Sequence, residues 1–330
     1  MTVLNRTKIA RSLSAASLAV ALLISPLGHA ADEFNHTVRI IVPFAPGGSS
    51  DILARIIAPK LSAAIGQTVI VENKAGAAGN LGADAVAKAP KDGHTLLLTD
   101  VGSLATAPSL FSNLTYDVEK DLAPVGMVMF APYVLAIHPS VPAKSVAEFI
   151  SYGRANLGKL AMANSGIGGT NHITGLMMAK ELGITWKNVP YKGGAAASRA
   201  VVSGESTAIV NGVSGTMSFV TSGQLVGLAV TGKHRQKNMP NVPTFHEAGL
   251  PQSEAGSSQG LMTTGGTPPA VIQKLSEEIR KILAQPDIQQ KISDLGGETQ
   301  SAKPEDLKAW LQANTKTYGE VIRANNIKVE

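Results

Sequence analysis

The chain has 330 residues, of which 44% are hydrophobic and 16% charged, so it is long enough for two cores and too apolar for a disordered protein. It contains no cysteine, which excludes disulfide bonds, thiolate metal sites and a cysteine nucleophile. The formal net charge is +5, but three basic residues lie in the first 30 positions. The rest has 26 Lys and Arg against 24 Asp and Glu, with no basic cluster typical of nucleic-acid binding.

Residues 1–30 have the pattern of an export signal. A basic start precedes an apolar and small-residue stretch over 13–27, which is shorter than the ~20 residues that a transmembrane helix needs. Gly28, His29 and Ala30 then provide small residues where a signal peptidase cuts. We therefore predict cleavage after Ala30 and export across the cytoplasmic membrane. The junction has no cysteine, which excludes a lipid anchor.

The exported chain begins with a predicted strand, a glycine loop and a helix in immediate succession. Ile40, Ile41 and Val42 indicate a buried strand, and an apolar-periodic helix follows over about 50–65. Between them lies the first loop (residues 43–49), whose two glycines let backbone N–H groups approach a ligand. The helix dipole there favours an anion. An ordinary β-loop-α turn explains the same pattern, so this stretch alone leaves both interpretations open.

The following segments alternate between strands and helices, which predicts a largely parallel α/β sheet. They are a strand over 69–71, a glycine-rich turn over 72–82, a helix over 83–89 and a strand over 95–99. No regular element is predicted over 100–121. An apolar run over 124–138, interrupted at Ala131 and Pro132, is predicted to cross into a second domain.

A second α/β series comes next, and the chain is predicted to return to the first domain over 225–230. The series has helices over 145–155, 171–182, 195–203 and 214–222, and strands over 160–162, 187–191, 206–210 and 226–231. Prolines in the first turn predict two final helices, over 269–284 and from 304 to about 325. The predicted organisation is a signal peptide (1–30), a first domain in two parts (31–131 and 232–330) and an inserted second domain (132–231).

Two further glycine loops resemble the first loop in kind. The second loop (residues 165–170) and the third loop (residues 192–194) each follow a short predicted strand and precede a helix. Three such turns, one in the first domain and two in the second, suit a cleft that presents N–H groups from both walls. A small dianion such as a dicarboxylate would be held at each end.

Five segments resemble the tripartite tricarboxylate transporter substrate-binding receptors, also called the Bug family. They lie at 42–51, 71–79, 90–96, 189–194 and 265–268, in the family's order, and span nearly all of the exported chain. The resemblance implies a two-lobed periplasmic binding protein fold of type II with two crossing hinge strands. It further implies a monomer in the periplasm that holds a carboxylated ligand between its lobes and delivers it to membrane transporter subunits. No cofactor and no nucleic acid are expected.

The resemblance also places the ligand contacts. In the first lobe they are Phe44, Ala45, Gly47, Gly48 and Ser49, and in the second lobe Ser165, Gly168, Gly169, Thr170 and His172. Ser103 and Tyr191 are weaker candidates for the cleft wall. Many relatives carry an aspartate where this chain has Asn211. Because an amide can donate to a carboxylate as well as accept, this difference prevents a transfer of ligand identity.

Other functions are weighed against this one. Ser49, Ser50, Asp51 and His172 provide the residue types of an exported hydrolase, but no Gly-x-Ser-x-Gly elbow is present, and Asp51 is better interpreted as a helix cap. The glycines over 76–82 lack the Rossmann spacing, and a partial P-loop over 227–233 is followed by histidine instead of Ser or Thr. No H-x-x-x-H pair occurs, so no metal site is expected. Within the binding class, a ligand sensor for a membrane signalling partner is the alternative.

Overall fold

A computed structural model describes residues 34–251 and 255–329, and the predicted signal peptide lies outside these residues. All of the elements below belong to the compact unit His36–Glu330. The strands are β1 (Val38–Val42), β2 (Val69–Asn73), β3 (Thr95–Asp100), β4 (Leu122–Ile137), β5 (Ala161–Asn164), β6 (Lys187–Pro190), β7 (Ala208–Gly212), β8 (Val226–Val230), β9 (Gly256–Thr264) and β10 (Glu298–Thr299). The helices are α1 (Ser49–Ile65), α2 (Asn80–Ala87), α3 (Val101–Leu110), α4 (Val146–Ala155), α5 (Thr170–Leu182), α6 (Gly194–Val202), α7 (Met217–Thr221), α8 (Pro269–Leu283), α9 (Pro286–Asp294) and α10 (Pro304–Ala324).

The strands form two sheets that share β4. The first sheet has the order β2-β1-β3-β9-β4, with β10 also paired to β4, and the second has the order β4-β7-β5-β6, with β8 also paired to β4. β1, β2 and β3 are mutually parallel, as are β5, β6 and β7. We call the first sheet with its helices the first lobe, and the second sheet with α4–α7 the second lobe.

β4 crosses from one sheet to the other without interruption. Its first part, Leu122 to Pro132, pairs with β9, and Tyr133 to Ile137 pair with β7. The apolar run broken by two residues in the sequence is therefore one strand of 16 residues. Both lobes are built outward from this strand, so it sets their relative position.

Alternating side chains of β4 supply both cores of the second lobe. Leu135 and Ile137 pack with Phe149 of α4 on one face, while Val134 and Ala136 pack with α6 on the other, as the period of two in a strand requires. The first lobe has a cluster around Leu97, which Ile173 of α5 in the second lobe also enters. Ile40, Leu96 and Leu98, which point to the other face of the first sheet, are also fully buried, so both sheets are covered on both faces.

Two predictions about chain organisation are wrong. The stretch over 100–121 contains helix α3, which is capped by the Asp100 carboxylate accepting a hydrogen bond from the Gly102 N–H. The return to the first lobe does not occur over 225–230, because β8 pairs with the part of β4 that lies in the second sheet. The chain rejoins the first sheet only at β9, between β3 and β4.

The predicted domain boundaries stay a prediction. Beyond residue 231, Phe245 packs in the cluster on one face of the second sheet. Met239 and Val242 pack in the cluster on the other face. Residues over 239–245 therefore contribute to the core of the second lobe.

Leu97→Ala tests the core that supports the first loop. Leu97 is fully buried in β3, between Ile41 and Met262 of the neighbouring strands. We expect the free energy of unfolding to fall by about 2–5 kcal/mol, because truncation leaves a cavity in a packed core. Leu157→Ala is the matched control, since Leu157 is 74% exposed, and should change the value by less than about 0.5 kcal/mol. If urea denaturation gave equal losses of unfolding free energy for Leu97→Ala and Leu157→Ala, the assignment of the core would be contradicted.

Candidate functional site

The three glycine loops lie at the carboxyl ends of parallel strands. The first loop follows β1, the second follows β5 and the third follows β6. The residue after β3 begins α3, and the turn after β7 reaches Ser214. In open α/β sheets, ligands bind outside the carboxyl ends of the strands, so these loops are the places where a site is expected.

Asp51 organises the first loop. It accepts hydrogen bonds from the Gly47 N–H and from Nδ2 of Asn73, both at 2.9 Å, and forms an ion pair with Arg55 at 3.0 Å. Burial by itself raises the pKa of Asp51, but the hydrogen bonds from Arg55, Gly47 and Asn73 outweigh it and lower the pKa overall. Gly47 has φ +84°, which favours glycine, whereas Gly48 is extended at φ −81° and is the N-cap of α1. Asp51 is therefore an ionised anchor of the loop.

The exposed part of the first loop borders the second lobe. Phe44 is half-buried, and its carbonyl accepts a hydrogen bond from Asn73 at 3.1 Å, while Ala45 is exposed beyond it. Ser49, the first residue of α1, has its Oγ 3.1 Å from Oγ of Ser214 in the second lobe. The first loop thus contacts the opposite lobe through a hydroxyl pair.

The second loop is held by its own side chains. Ser165 donates its Oγ proton to Oδ1 of Asn171 at 2.7 Å, and the Gly168 N–H donates to Nδ1 of His172 at 3.0 Å. His172 must therefore be neutral at Nδ1, in agreement with burial, which lowers the pKa of this imidazole. Gly168 has φ +75° and packs against Leu110 of α3, where a Cβ would not fit. The second loop is thereby seated on the first lobe.

His172 also faces a cavity behind the second loop. This cavity of about 390 Å³ is lined by Asn164 and Asn188 of the second lobe and by Lys328 near the carboxyl terminus. The imidazole therefore lies between the loop and this cavity.

Several of the predicted amide donors are already used inside their loops. Gly47 donates to Asp51, Gly168 to His172, and Gly169 to the Gly166 carbonyl at 3.2 Å. The first N–H groups of an α-helix have no partner within the helix, so the first turns of α1 and α5 are the remaining source of amide donors beside these loops. In sequence these are the amides just after each glycine pair.

A chain of buried and half-buried side chains connects the two helix starts. Ser50 of α1 donates to Oε1 of Gln259 at 2.6 Å, and Nε2 of Gln259 donates to Ser257 at 2.8 Å. Ser257 donates to Oδ2 of Asp100 at 2.8 Å, and Thr170 of α5 donates to Oδ1 of Asp100 at 3.5 Å. The first and second loops are thus linked across the lobes by hydroxyl, amide and carboxyl groups.

Asp100 is the ionisable group of this chain. Although part of the residue is exposed, its carboxylate lies among Ser257, Gly102 and Thr170, and burial raises its pKa to about 6 despite their hydrogen bonds. Gly102 lies so close to Thr170 that a Cβ would not fit between them. The protonation of Asp100 is therefore coupled to a contact between the lobes.

Asn211 directs its amide into the second lobe. Nδ2 donates to the Gly194 carbonyl at 3.3 Å and to Ser198 and Thr216 at 3.2 and 3.4 Å, while Oδ1 accepts from Asn171 at 3.5 Å. It thereby joins the second loop to the start of α6. In this geometry Asn211 acts as a positioning residue for both loops.

Ser103 and Tyr191, the two weaker candidates for the cleft wall, lie in different parts of the structure. Ser103, in the first turn of α3, donates to the Asp100 carbonyl at 2.6 Å and lies beside the polar chain. The Tyr191 hydroxyl lies 3.0 Å from Oγ of buried Ser206, and its ring packs against the second-lobe cluster. Its side chain thus contacts the core of the second lobe.

A sequence model described as the tripartite tricarboxylate transporter family receptor matches residues 53–327. The protein BugT of Bordetella pertussis is 32% identical over 294 residues, covering 89% of this chain and 90% of BugT. The chain belongs to the tripartite tricarboxylate transporter receptor family. This membership confirms the resemblance noted in the sequence.

Solved structures place the receptor in its fold class. The periplasmic binding protein BugD is 33% identical, with a TM-score of 0.79 over 90% of this chain and all of BugD. Rpa4515 of R. palustris with adipate is 29% identical, with a TM-score of 0.81 over 89% of this chain and 99% of that one. MatC of Rhodopseudomonas palustris with bound malate is 31% identical, with a TM-score of 0.77 over 87% and 99%. The predicted two-lobed periplasmic binding protein fold is confirmed.

The hydrolase hypothesis is wrong, because the family and these neighbours are solute-binding receptors. The geometry agrees: Asp51 bonds Gly47 and Asn73, His172 bonds Gly168, and Ser49 bonds Ser214. Within the described residues, no helix of the receptor has both the length and the apolar character to span a membrane.

Sequence reasoning missed the polar residues that connect the two loops of the receptor. Of these residues, Asp100 could have been recognised from the sequence, because an aspartate where a buried strand ends is a typical helix cap. Ser257 and Gln259 lie in β9, more than 150 residues from Asp100, and no local pattern distinguishes them.

Asp100→Asn tests the effect of the buried carboxyl on stability. Between the ordinary pKa of 3.8 and about 6, the native state binds more protons than the unfolded state, so the contribution of Asp100 to stability falls as pH rises. We expect the amide to stabilise the protein at pH 7, by up to roughly 3 kcal/mol at 1.36 kcal/mol per pKa unit, and to have little effect at pH 4. Urea denaturation of both proteins at the two pH values measures this. If the unfolding free energies of the wild type and Asp100→Asn differed by the same amount at pH 4 and pH 7, the prediction would be contradicted.

Proposed function

We propose that this receptor binds a small carboxylate between its lobes in the periplasm and delivers it, as a monomer without a cofactor, to the membrane subunits of a tripartite transporter. The observation that carries the proposal is the pair of helix N-termini, at α1 and α5, linked across the lobes by the chain from Ser50 to Thr170. Adipate and malate in the two solved relatives support a ligand of this class.

The helix starts explain how an acidic ligand can be held without a salt bridge. Outward N–H groups in the first turn and the positive end of the helix dipole both favour negative charge. With one such end in each lobe, a ligand with two carboxylates can bind both lobes at once. The first turn of α1 presents the amides of Ser49 and Ser50, and the first turn of α5 those of Thr170 and Asn171.

A ligand that binds both lobes also couples its binding to recognition of the receptor by a partner. A ligand shifts the lobes toward closure only to the extent that it contacts the closed form better than the open one. Ser49 with Ser214, and Asp100 with Thr170, are contacts between the lobes that an opening of the cleft would separate. The transporter would then distinguish the loaded receptor by its closed surface.

The direct test is calorimetry on the exported chain, with malate, adipate, a tricarboxylate and an aromatic acid as separate ligands. Saturable binding of one carboxylate, with no change of the ligand by chromatography afterwards, supports a receptor. Conversion of the ligand, or no binding across the panel, would contradict it. Uptake of the bound acid by cells with and without the gene then distinguishes delivery from a sensory role.

Gly48→Val tests the first loop. Gly48 has φ −81°, and the nearest atom to a Cβ there is the Ala45 carbonyl at 3.7 Å, so valine fits the fold but crowds the approach to the amides of α1. We expect affinity for the bound acid to fall about ten- to a hundredfold, which corresponds to one hydrogen bond to a charged group.

Ala64→Val is the control for Gly48→Val, because Ala64 is exposed near the other end of α1. It adds a β-branched side chain to the same helix and should leave affinity unchanged. Unchanged affinity in Gly48→Val, with native unfolding behaviour, would remove the first loop from the site.

A further inference from the structure

Three metal-ligating side chains meet at the opposite edge of the first sheet from the glycine loops. One ligand atom each of His36, Asp92 and His94 lies within 4.8 Å of the other two. His36 precedes β1 by two residues and His94 directly precedes β3. Because β1 and β3 are parallel and Arg39 lies opposite Thr95, the two histidines are brought to the same, amino-terminal edge.

The cluster is built on rigid backbone. The carbonyl of His94 accepts the Arg39 N–H at 2.8 Å, and the His94 N–H donates to Oδ1 of Asp92 at 2.9 Å. The His94 side chain is buried, with Nδ1 3.3 Å from the same carboxylate oxygen. Two of the three groups are thus positioned by the sheet and by the turn that precedes β3.

His36 completes the cluster from the solvent side. Its ring stacks on that of His94, with centroids 3.6 Å apart and an angle of 5° between the planes. The nitrogen lone pairs of stacked rings lie in two parallel planes, so an ion shared by both rings requires one ring to tilt. His36 is exposed and can make this movement, whereas His94 is held in place.

The donor set indicates the class of ion. Two imidazole nitrogens and one carboxylate oxygen are typical ligands of zinc, and imidazole also suits copper and nickel. At zinc–ligand distances of about 2.1 Å, tetrahedral donors lie about 3.4 Å apart. The three ligand atoms, which lie within 4.8 Å of one another, would have to approach to this spacing, with water at the remaining position.

We propose that His36, Asp92 and His94 form a binding site for a divalent transition-metal ion of the zinc class, separate from the carboxylate site. The ion would tie the segment before β1 to the turn before β3. It lies at the edge of the first lobe remote from the first loop, so its occupancy does not depend on the proposed ligand.

The test is a titration with zinc chloride of the chain exported and purified without an oligohistidine tag, followed by calorimetry, with cobalt absorption spectra as a second readout. We expect one zinc ion per chain. Removing a direct ligand should cost at least as much as the about 10–100-fold effect known for outer-shell partners, so His36→Gln should weaken binding by at least about tenfold. Asp92→Asn should weaken it too, because it keeps an acceptor for the His94 N–H but removes the charge.

His246→Gln is the matched control, since His246 is an exposed histidine outside the cluster. It should leave zinc affinity unchanged. His36 is exposed, so its replacement should leave metal-free thermal unfolding unchanged, which separates a lost ligand from a lost fold. The proposal is overturned if zinc shows no saturable binding, or if its affinity is the same in wild type, His36→Gln and Asp92→Asn.

Discussion

The constraint on which the structure depends is that one strand, β4, belongs to both sheets. Leu122 to Pro132 are paired in the first lobe and Tyr133 to Ile137 in the second, so a change of lobe orientation must be absorbed near their junction. Backbone hydrogen bonds continue along β4 on both sides of this point, so each sheet is intact up to the junction. The loops at the carboxyl ends of the parallel strands therefore stay correctly built whether or not they touch each other.

Contacts between the lobes are of two kinds: Ile173 of α5 packs in the apolar cluster of the first lobe, and the hydrogen bonds between the loops are polar and largely uncharged. Hydroxyl and amide groups donate and accept in sequence from Ser50 to Thr170, and a second connection runs through Asn211 to the turn that holds Ser214. Such groups can replace a hydrogen bond to protein by one to water at a modest cost in free energy, because a neutral hydrogen bond contributes a net stabilisation of only about 1 kcal/mol. Asp100 is different, since the removal of a carboxylate from water is what raises its pKa. The protonation of Asp100 therefore changes the strength of this polar connection between the loops.

Much of this architecture follows from local patterns. Local patterns specify an element through the conformation and periodicity of neighbouring residues. Examples are the β-branched run before the first loop, the glycines of the second loop and the prolines at the starts of α8 and α10. Helix α3 was missed because its Asp100 cap was not recognised and its sequence contains Pro108. The later return of the chain to the first sheet was missed because a strand that crosses between lobes and one that stays in a lobe have the same alternation of side chains.

The sequence by itself determined the α/β elements, the glycine turns and the family, because these depend on residues close together in the chain. Only the tertiary structure decided which N–H groups face outward, since Asp51 and His172 take up the amides of Gly47 and Gly168 through side-chain geometry that no spacing shows. It also decided that His36 and His94, 58 positions apart in number, start neighbouring parallel strands and stack on each other. Strand pairing joins positions without regard to their separation in the chain, and this is the physical reason that the sequence pattern did not bring these two histidines together.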